Sequence, residues 1–329
     1  MSVERPEQRR DEADLTRVAV CGLGGVGSAL LELIVDRRLP IRLVAAADSK
    51  NSVFGDLDPE AVLAGKREGQ LPGDPGDPVV DARPDVLVDA MSCDFETGEP
   101  SLSVMLAALE SGASVVTANK VPLARCWNKL HAAARASRAT IGYAGAAGAA
   151  LPAVAVARAL ARADRVSGFR GVLSGTTTFV LEQMMAGRPF AEAVTSARDL
   201  RIAEPDPSID LGGWDTACKA VILANIIWSL DMELPEVSVD GIDESTDVSS
   251  AGRTVRLTAR ARLVSGRCAI EVGPEELGPE DPLAALKGRD KGMVFQGPSI
   301  GTVALTGGRS HPRGAAAAVL SDLLEAIRA

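Results

Sequence analysis

Behind Arg201, five more charged groups crowd into the stretch that runs to Lys219, RIAEPDPSIDLGGWDTACK: Glu204, Asp206, Asp210, Asp215 and Lys219. Pro205 and Pro207 hold the backbone around the first carboxylates extended, because proline fixes its own φ and turns the preceding residue away from the helical region. Gly212 and Gly213 then break the chain. Asp215 sits at the start of WDTACKAVILANIIWSL, an apolar run that reads as a helix, on which Asp215 and Lys219, four apart, share one face. On a surface such a pair contributes only about 0.3–0.5 kcal/mol. Here the helix is almost uncharged through Leu230, so it is buried and draws its first turn inward. A charge pair entering a core is costly unless it has partners or a task. The task such groups suit is proton transfer and the stabilisation of developing charge.

A second constellation lies near the start of the chain. Residues 17–48 run as a short apolar stretch, a glycine turn, an amphipathic helix and a second apolar stretch ending in Asp48, which is a βαβ unit. Gly22, Gly24 and Gly27 make G-x-G-x-x-G at the strand-to-helix junction. The first glycine permits the tight turn, the second lets a pyrophosphate approach the backbone, and the third allows close helix–strand packing; Gly25 and Val26 complete the turn. Asp48, 21 positions after Gly27, stands where a carboxylate accepts both ribose hydroxyls. Lys50 leaves the choice of cofactor open, since Asp48 disfavours a 2′-phosphate and Lys50 favours one, so NAD and NADP both remain.

The elements that must position these groups follow in order. Residues 51–78 are Gly/Pro-rich and read mainly as loops, including PGDPGDP, with PEAVLAGKREG as a short helix. Residues 85–92 read as a strand, 101–112 as a helix ended by Gly112, and 113–120 as the next strand, closed by Lys120. Ligands bind outside the carboxyl ends of parallel strands, which puts Ser92 and Lys120 on the cofactor side. A helix around 130–139, a small-residue loop and a helix beginning at Pro152 come next. Then follow a strand and a Ser-Gly-Thr-Thr turn whose hydroxyls cap a helix and whose N–H groups suit a carboxylate or phosphate. Beyond residue 237, alternating polar and apolar residues read as strands of a mixed sheet, and RGAAAAVLSDLLEAI as a closing helix.

At 329 residues the chain is long enough for two domains. The expected fold is α/β: a Rossmann-type nucleotide-binding domain plus an α+β catalytic and dimerisation domain with a mixed sheet. Residues 1–15 read as a mobile tail, 16–140 as the dinucleotide-binding domain and 141–311 as the substrate and dimerisation domain, with helix 312–329 packing back on the first. Hydrophobic residues make up 46% but aromatics 3%, so Ala, Val and Leu must build the core. A net charge of −9 without a basic cluster argues against nucleic acid. Five cysteines without C-x-x-C spacing, together with two histidines, fit a reducing cytoplasm and no zinc site. The first residues lack a signal-peptide core and no apolar run is long enough to span a bilayer, so the expectation is a cytoplasmic protein without a membrane.

Together these pieces resemble homoserine dehydrogenases. The resemblance rests on GLGGVG, VVTANK at 115–120, LSGTTTFVL at 173–181, AEPDPSIDLGGWDTACK at 203–219 and AVLSDLL at 318–324, spread across nearly the whole chain. It implies the short form of the family, without a regulatory domain, in amino-acid biosynthesis. The implied reaction is reversible hydride transfer between a nicotinamide cofactor and aspartate semialdehyde or homoserine, with a homodimer formed through the strands of residues 237–305. By resemblance Lys219 and Lys120 are the lysines of the reacting centre, Asp215 is the carboxylate beside them, and Glu204 and Asp210 hold the substrate ammonium. Thr176, with Gly175 in the same turn, faces the substrate carboxylate. The backbone carbonyls of Ala144, Ala147, Ala149 and Leu151 correspond to a monovalent cation site. The chain departs from the family pattern at Ala144, where a glutamate is usual, at Arg201 and Ile202, where a glycine and tyrosine are usual, at Met91 for a threonine, and around GGRSHPRG. These departures bear on substrate identity, and a related dehydrogenase for another amino-acid semialdehyde or amino alcohol is the alternative.

Overall fold

The computed structural model describes residues 15–69, 82–249, 252–308 and 311–328. The expected tail, apart from Leu15, and the PGDPGDP turns lie outside the described residues. The first sheet begins with β1 (Thr16–Cys21), α1 (Gly25–Arg37) and β2 (Ile41–Ala47). Val18 to Cys21 and Leu43 to Ala47 are buried without alternation, as strands covered on both faces must be. A further strand, β3 (Ser52–Leu57), pairs antiparallel with β2 and precedes α2 (Pro59–Arg67). It corrects the reading of 51–78 as mainly loop. Ser52 to Leu57 is short, half-exposed and interrupted by Gly55, so its pairing comes from the β2 edge and not from its own pattern.

Next come β4 (Val86–Asp89), α3 (Ser101–Glu110), β5 (Ser114–Thr117), α4 (Val121–Arg125), α5 (Trp127–Ser137) and β6 (Ile141–Gly142). The sheet order is β3-β2-β1-β4-β5-β6, parallel except for β3. Strand β5 ends at Thr117, so Lys120 does not close it; Lys120 precedes α4, which a proline in its first turn helps to start.

The chain continues through α6 (Ala153–Ala163), β7 (Gly168–Val172), α7 (Gly175–Met185), α8 (Phe190–Asp199), α9 (Ser208–Leu211) and α10 (Trp214–Trp228). It ends in β8 (Ser238–Val239), β9 (Thr254–Val264), β10 (Arg267–Leu277), β11 (Lys291–Gly297), β12 (Gly301–Gly307) and α11 (Pro312–Ala326). The second sheet has the order β12-β11-β7-β9-β10-β8 and is mixed, antiparallel apart from the β8–β10 pair. The expected rigid loop before α10 is only partly extended: Pro207 starts the short helix α9, which carries Asp210.

Helix α10 explains how the two sheets share a core. It buries Asp215 to Cys218, Ala220 to Asn225 and Ile227, and packs on α6, α4, β9 and β10. The largest apolar cluster runs through it from Ala19, Leu87 and Val115 of the first sheet to Ala259, Val272 and Phe295 of the second. A separate cluster joins Leu30, Leu31 and Ile34 of α1 to Val319, Leu320 and Leu323 of α11, placing the last helix on the first sheet. Among the described residues no helix is long and apolar enough to cross a membrane.

Candidate active site

The glycine turn has the geometry that its sequence requires. Gly22 has φ +97°, and a Cβ there would lie 2.3 Å from the carbonyl of Ala90 at the end of β4. A Cβ on Gly27 would meet the Gly22 carbonyl oxygen at 2.0 Å, so α1 approaches β1 as closely as backbone permits. A Cβ on Gly24 would meet nothing within 4 Å, and no side chain caps α1. Open space therefore faces uncapped N–H groups at a helix N-terminus, which is the cradle a dinucleotide pyrophosphate needs. Gly25 lies against Pro312 of α11.

At the ribose end, Asp48 accepts hydrogen bonds from the backbone N–H groups of Lys50 (2.8 Å) and Asn51 (3.0 Å) and is ion-paired with Lys66 of α2. Lys66 foremost, then those amides, outweigh partial burial and lower its carboxyl to about 2. The ammonium paired with Asp48 is thus that of Lys66, whereas the Lys50 residue is exposed; sequence spacing alone favours the nearer lysine. Ser92 lies exposed beyond β4, and no hydrogen bond joins it to another of the described residues.

The charged constellation around Lys219 converges from elements far apart along the chain. Asp215, in the first turn of α10, binds Lys219 Nζ through one oxygen at 2.5 Å and Lys120 Nζ through the other at 3.1 Å. Lys219 also donates to the Leu173 carbonyl at 2.8 Å, which fixes it against the end of β7. Burial would raise the Asp215 carboxyl, but Lys219 and Lys120 together hold it well below the usual carboxylate range. Asp215 in turn raises Lys120 against the opposing effect of burial.

Asp210, from α9, accepts hydrogen bonds from Thr176 Oγ1 (3.0 Å) and Ser174 Oγ (3.4 Å) at the start of α7. Burial first, and then the negative Asp215, push its carboxyl up to about 6. Thr176 also reaches the carbonyl of Ile202 at 3.4 Å. Gly175 lies beneath Arg289, whose Cα a Cβ would meet at 3.1 Å. Glu204 does not join this cluster; it is exposed and its side chain makes no hydrogen bond to the described residues.

Sequence reasoning does not single out two further groups near the cluster. The buried Asp89 ends β4 and binds Asn119 Nδ2 (2.9 Å), Thr117 Oγ1 (2.8 Å) and Ser101 Oγ (2.5 Å). It therefore fixes the turn that presents Lys120. The other is Lys291, the first residue of β11, which is 4% exposed and donates to the Gly148 carbonyl at 3.4 Å. Burial and then Lys219 push its amine down to about 7. A charged residue interrupting a buried strand is a signal for each, although neither the Val-Leu-Val-Asp nor the Lys-Gly-Met-Val run says what it faces. Among the described residues no group of three or more His, Cys, Asp and Glu is placed to hold a metal ion.

A Rossmann-type nucleotide domain joined to an α+β domain with a mixed sheet, with two ammonium groups and two carboxylates gathered between them, defines an NAD(P)-dependent oxidoreductase acting on alcohols and aldehydes. Two family profiles match: one described as homoserine dehydrogenase over residues 152–324, and one described as homoserine dehydrogenase, NAD binding domain, over residues 22–144. The homoserine dehydrogenase of Sulfurisphaera tokodaii is 30% identical over 314 residues, which cover 94% of this chain and 97% of that protein. The NAD(+)-dependent homoserine dehydrogenase of Pseudomonas canavaninivorans is also 30% identical, over 94% of this chain and 95% of its own. A hyperthermophilic archaeal homoserine dehydrogenase solved in complex with NADPH superposes with a TM-score of 0.84 at 28% identity, covering 94% of this chain and 97% of that one. The chain belongs to the homoserine dehydrogenase family.

Proposed function

We propose that the chain interconverts aspartate semialdehyde and homoserine, with Asp215 bridging Lys120 and Lys219 as the observation that carries the residue roles. The nicotinamide ring, when bound, supplies or accepts the hydride. The aldehyde oxygen gains negative charge as its carbon is reduced. In the proposed roles the Lys219 ammonium gives that oxygen its proton and Lys120 stabilises the charge from the cofactor side. Asp215 orients both lysines and keeps Lys120 charged. Asp210, supported by Thr176, takes the substrate ammonium, with Glu204 approaching from the exposed side, and the N-terminal turn of α7 at Gly175 and Thr176 takes the substrate carboxylate. The glycines Gly22, Gly24, Gly25 and Gly27, with Val26, receive the pyrophosphate; Asp48, with Lys50 and Lys66 near it, meets the ribose. Ser92 and Lys120 border the nicotinamide.

The division into two sheets supports domain limits near 16–140 and 141–311, with β6 at Ile141–Gly142 still pairing with the first sheet. The exposed positions along β10 and β12 in the 237–305 region support a homodimer formed there. Sedimentation at micromolar concentration should give twice the chain mass; a monomer would remove the dimer. NAD(P)H oxidation should be faster with aspartate semialdehyde than with any other aldehyde in a panel. No turnover with aspartate semialdehyde would turn the reading toward another amino-acid semialdehyde or amino alcohol, for which Ala144, Arg201 and Ile202 are the motivating departures. A positioned acid contributes roughly 100- to 10,000-fold in rate, so Lys219→Ala should lower kcat at least about 100-fold. Unchanged turnover in that variant would exclude Lys219 as the acid.

A further inference from the structure

The loop between β6 and α6, residues 143–152, presents several main-chain carbonyls in a tightly packed turn. A Cβ on Gly145 would strike Val319 of α11 at 2.7 Å, one on Gly148 would strike the Leu151 carbonyl oxygen at 2.4 Å, and one on Gly308 would strike the Leu151 backbone at 2.4 Å. The Leu151 carbonyl already accepts from Ala153 N–H at 2.7 Å, and the Gly148 carbonyl from Leu151 N–H at 3.2 Å. Into this turn β11 delivers the amine of Lys291, whose nitrogen lies 3.4 Å from the Gly148 oxygen, on the peptide between Ala147 and Ala149. Lys291 is buried, and among the described residues no carboxylate lies within ion-pair distance of it. Its recorded hydrogen-bond partner is a carbonyl, which is the donor type that would coordinate an alkali cation.

A free cation at the turn that carries Ala144, Ala147, Ala149 and Leu151 would have to share it with this amine, which already sits among the charges of Lys219, Lys120, Asp215 and Asp210. The residues present therefore do not fit a separate ion. We propose that the Lys291 amine is the built-in substitute for a monovalent cation at this loop, so that the enzyme needs neither Na+ nor K+. The seat is filled with either proton count, because the neutral amine still donates an N–H to Gly148.

The proposal draws on the proposed reaction only for one of its two readouts. Wild-type enzyme and Lys291→Ala are assayed in tetramethylammonium chloride, an ion too bulky for the turn, against NaCl, KCl and NH4Cl at equal ionic strength. Thermal melting is followed in the same solutions. Wild-type turnover should vary less than about twofold among the salts, and its melting midpoint should not respond to the identity of the small cation. Lys291→Ala should lose at least about tenfold in tetramethylammonium, recover at least fivefold in ammonium or potassium, and melt higher in those salts. Wild-type enzyme stimulated fivefold by Na+ or K+, or a folded Lys291→Ala protein indifferent to every small cation, would overturn the proposal. Should that variant not fold, Lys291→Met and the wild-type arm decide it in the same way. A failure to turn over aspartate semialdehyde would leave the melting comparison intact and so would be recognised as a failure of the substrate assignment alone.

Discussion

The two carboxylates nearest the proposed reacting centre titrate in opposite directions although they stand close together. Asp215 stays ionised because two ammonium groups face it, whereas Asp210, with hydroxyl partners and a negative neighbour, is raised to about 6. If Asp210 receives the substrate ammonium, it must be ionised to do so. The proposed role then gives kcat/KM an acidic limb near pH 6, with activity falling as pH drops through it. Asp210→Asn should abolish that limb and raise KM roughly 10- to 100-fold, the loss expected for a hydrogen bond to a charged group. A limb unchanged in the variant would assign the titration elsewhere. Residue types and spacing made Asp215, Lys219 and Asp210 legible, because the i,i+4 pair and the acidic loop stand out in an otherwise apolar region. Lys66 and Lys291 were not legible. Each contacts a group far away along the chain, and only packing decides which lysine faces inward.

Among the elements, α10 and the first βαβ unit could be read because their apolar periodicities are long and uninterrupted. Strand β3 and helices α4, α8 and α9 could not. They are short or built of mixed residues, and tertiary contacts settle their conformation. The junction of α11 with the 143–151 loop depends on such a contact. Asp322 of α11 accepts the Ala144 N–H at 2.6 Å, and burial pushes its carboxyl up to about 6. A raised carboxyl holds its proton in the folded state while the unfolded chain releases it. The stabilisation is therefore full below about pH 4 and is lost as pH rises through 6, by on the order of 3 kcal/mol for a shift of this size. Asp322→Asn keeps an acceptor for Ala144 and has no charge to bury. Urea unfolding at pH 4.5 and pH 7 should show its stability relative to wild type improving across that interval; a constant difference would remove Asp322 from the pH response.

For the whole molecule, the Rossmann character of the first sheet was legible from the glycine turn and the alternation of strand and helix, whereas its strand order, with β3 on the edge, was not. Nor was the way the two sheets meet, since the joining core is assembled from Ala, Val and Leu that look alike in sequence. Helix α11 is the part of this arrangement that most separates chain order from spatial order. Val319, Leu320 and Leu323 complete the apolar layer beneath α1, although they leave the ribosome nearly three hundred residues later. The amino-terminal unit can therefore begin to compact during synthesis but cannot finish until α11 has been made. Nascent chains stalled before Pro312 should leave the β1–α1 region open to protease, and a peptide spanning 311–328 supplied in trans should protect it. A stalled chain already resistant there would mean that the first sheet matures without its final helix.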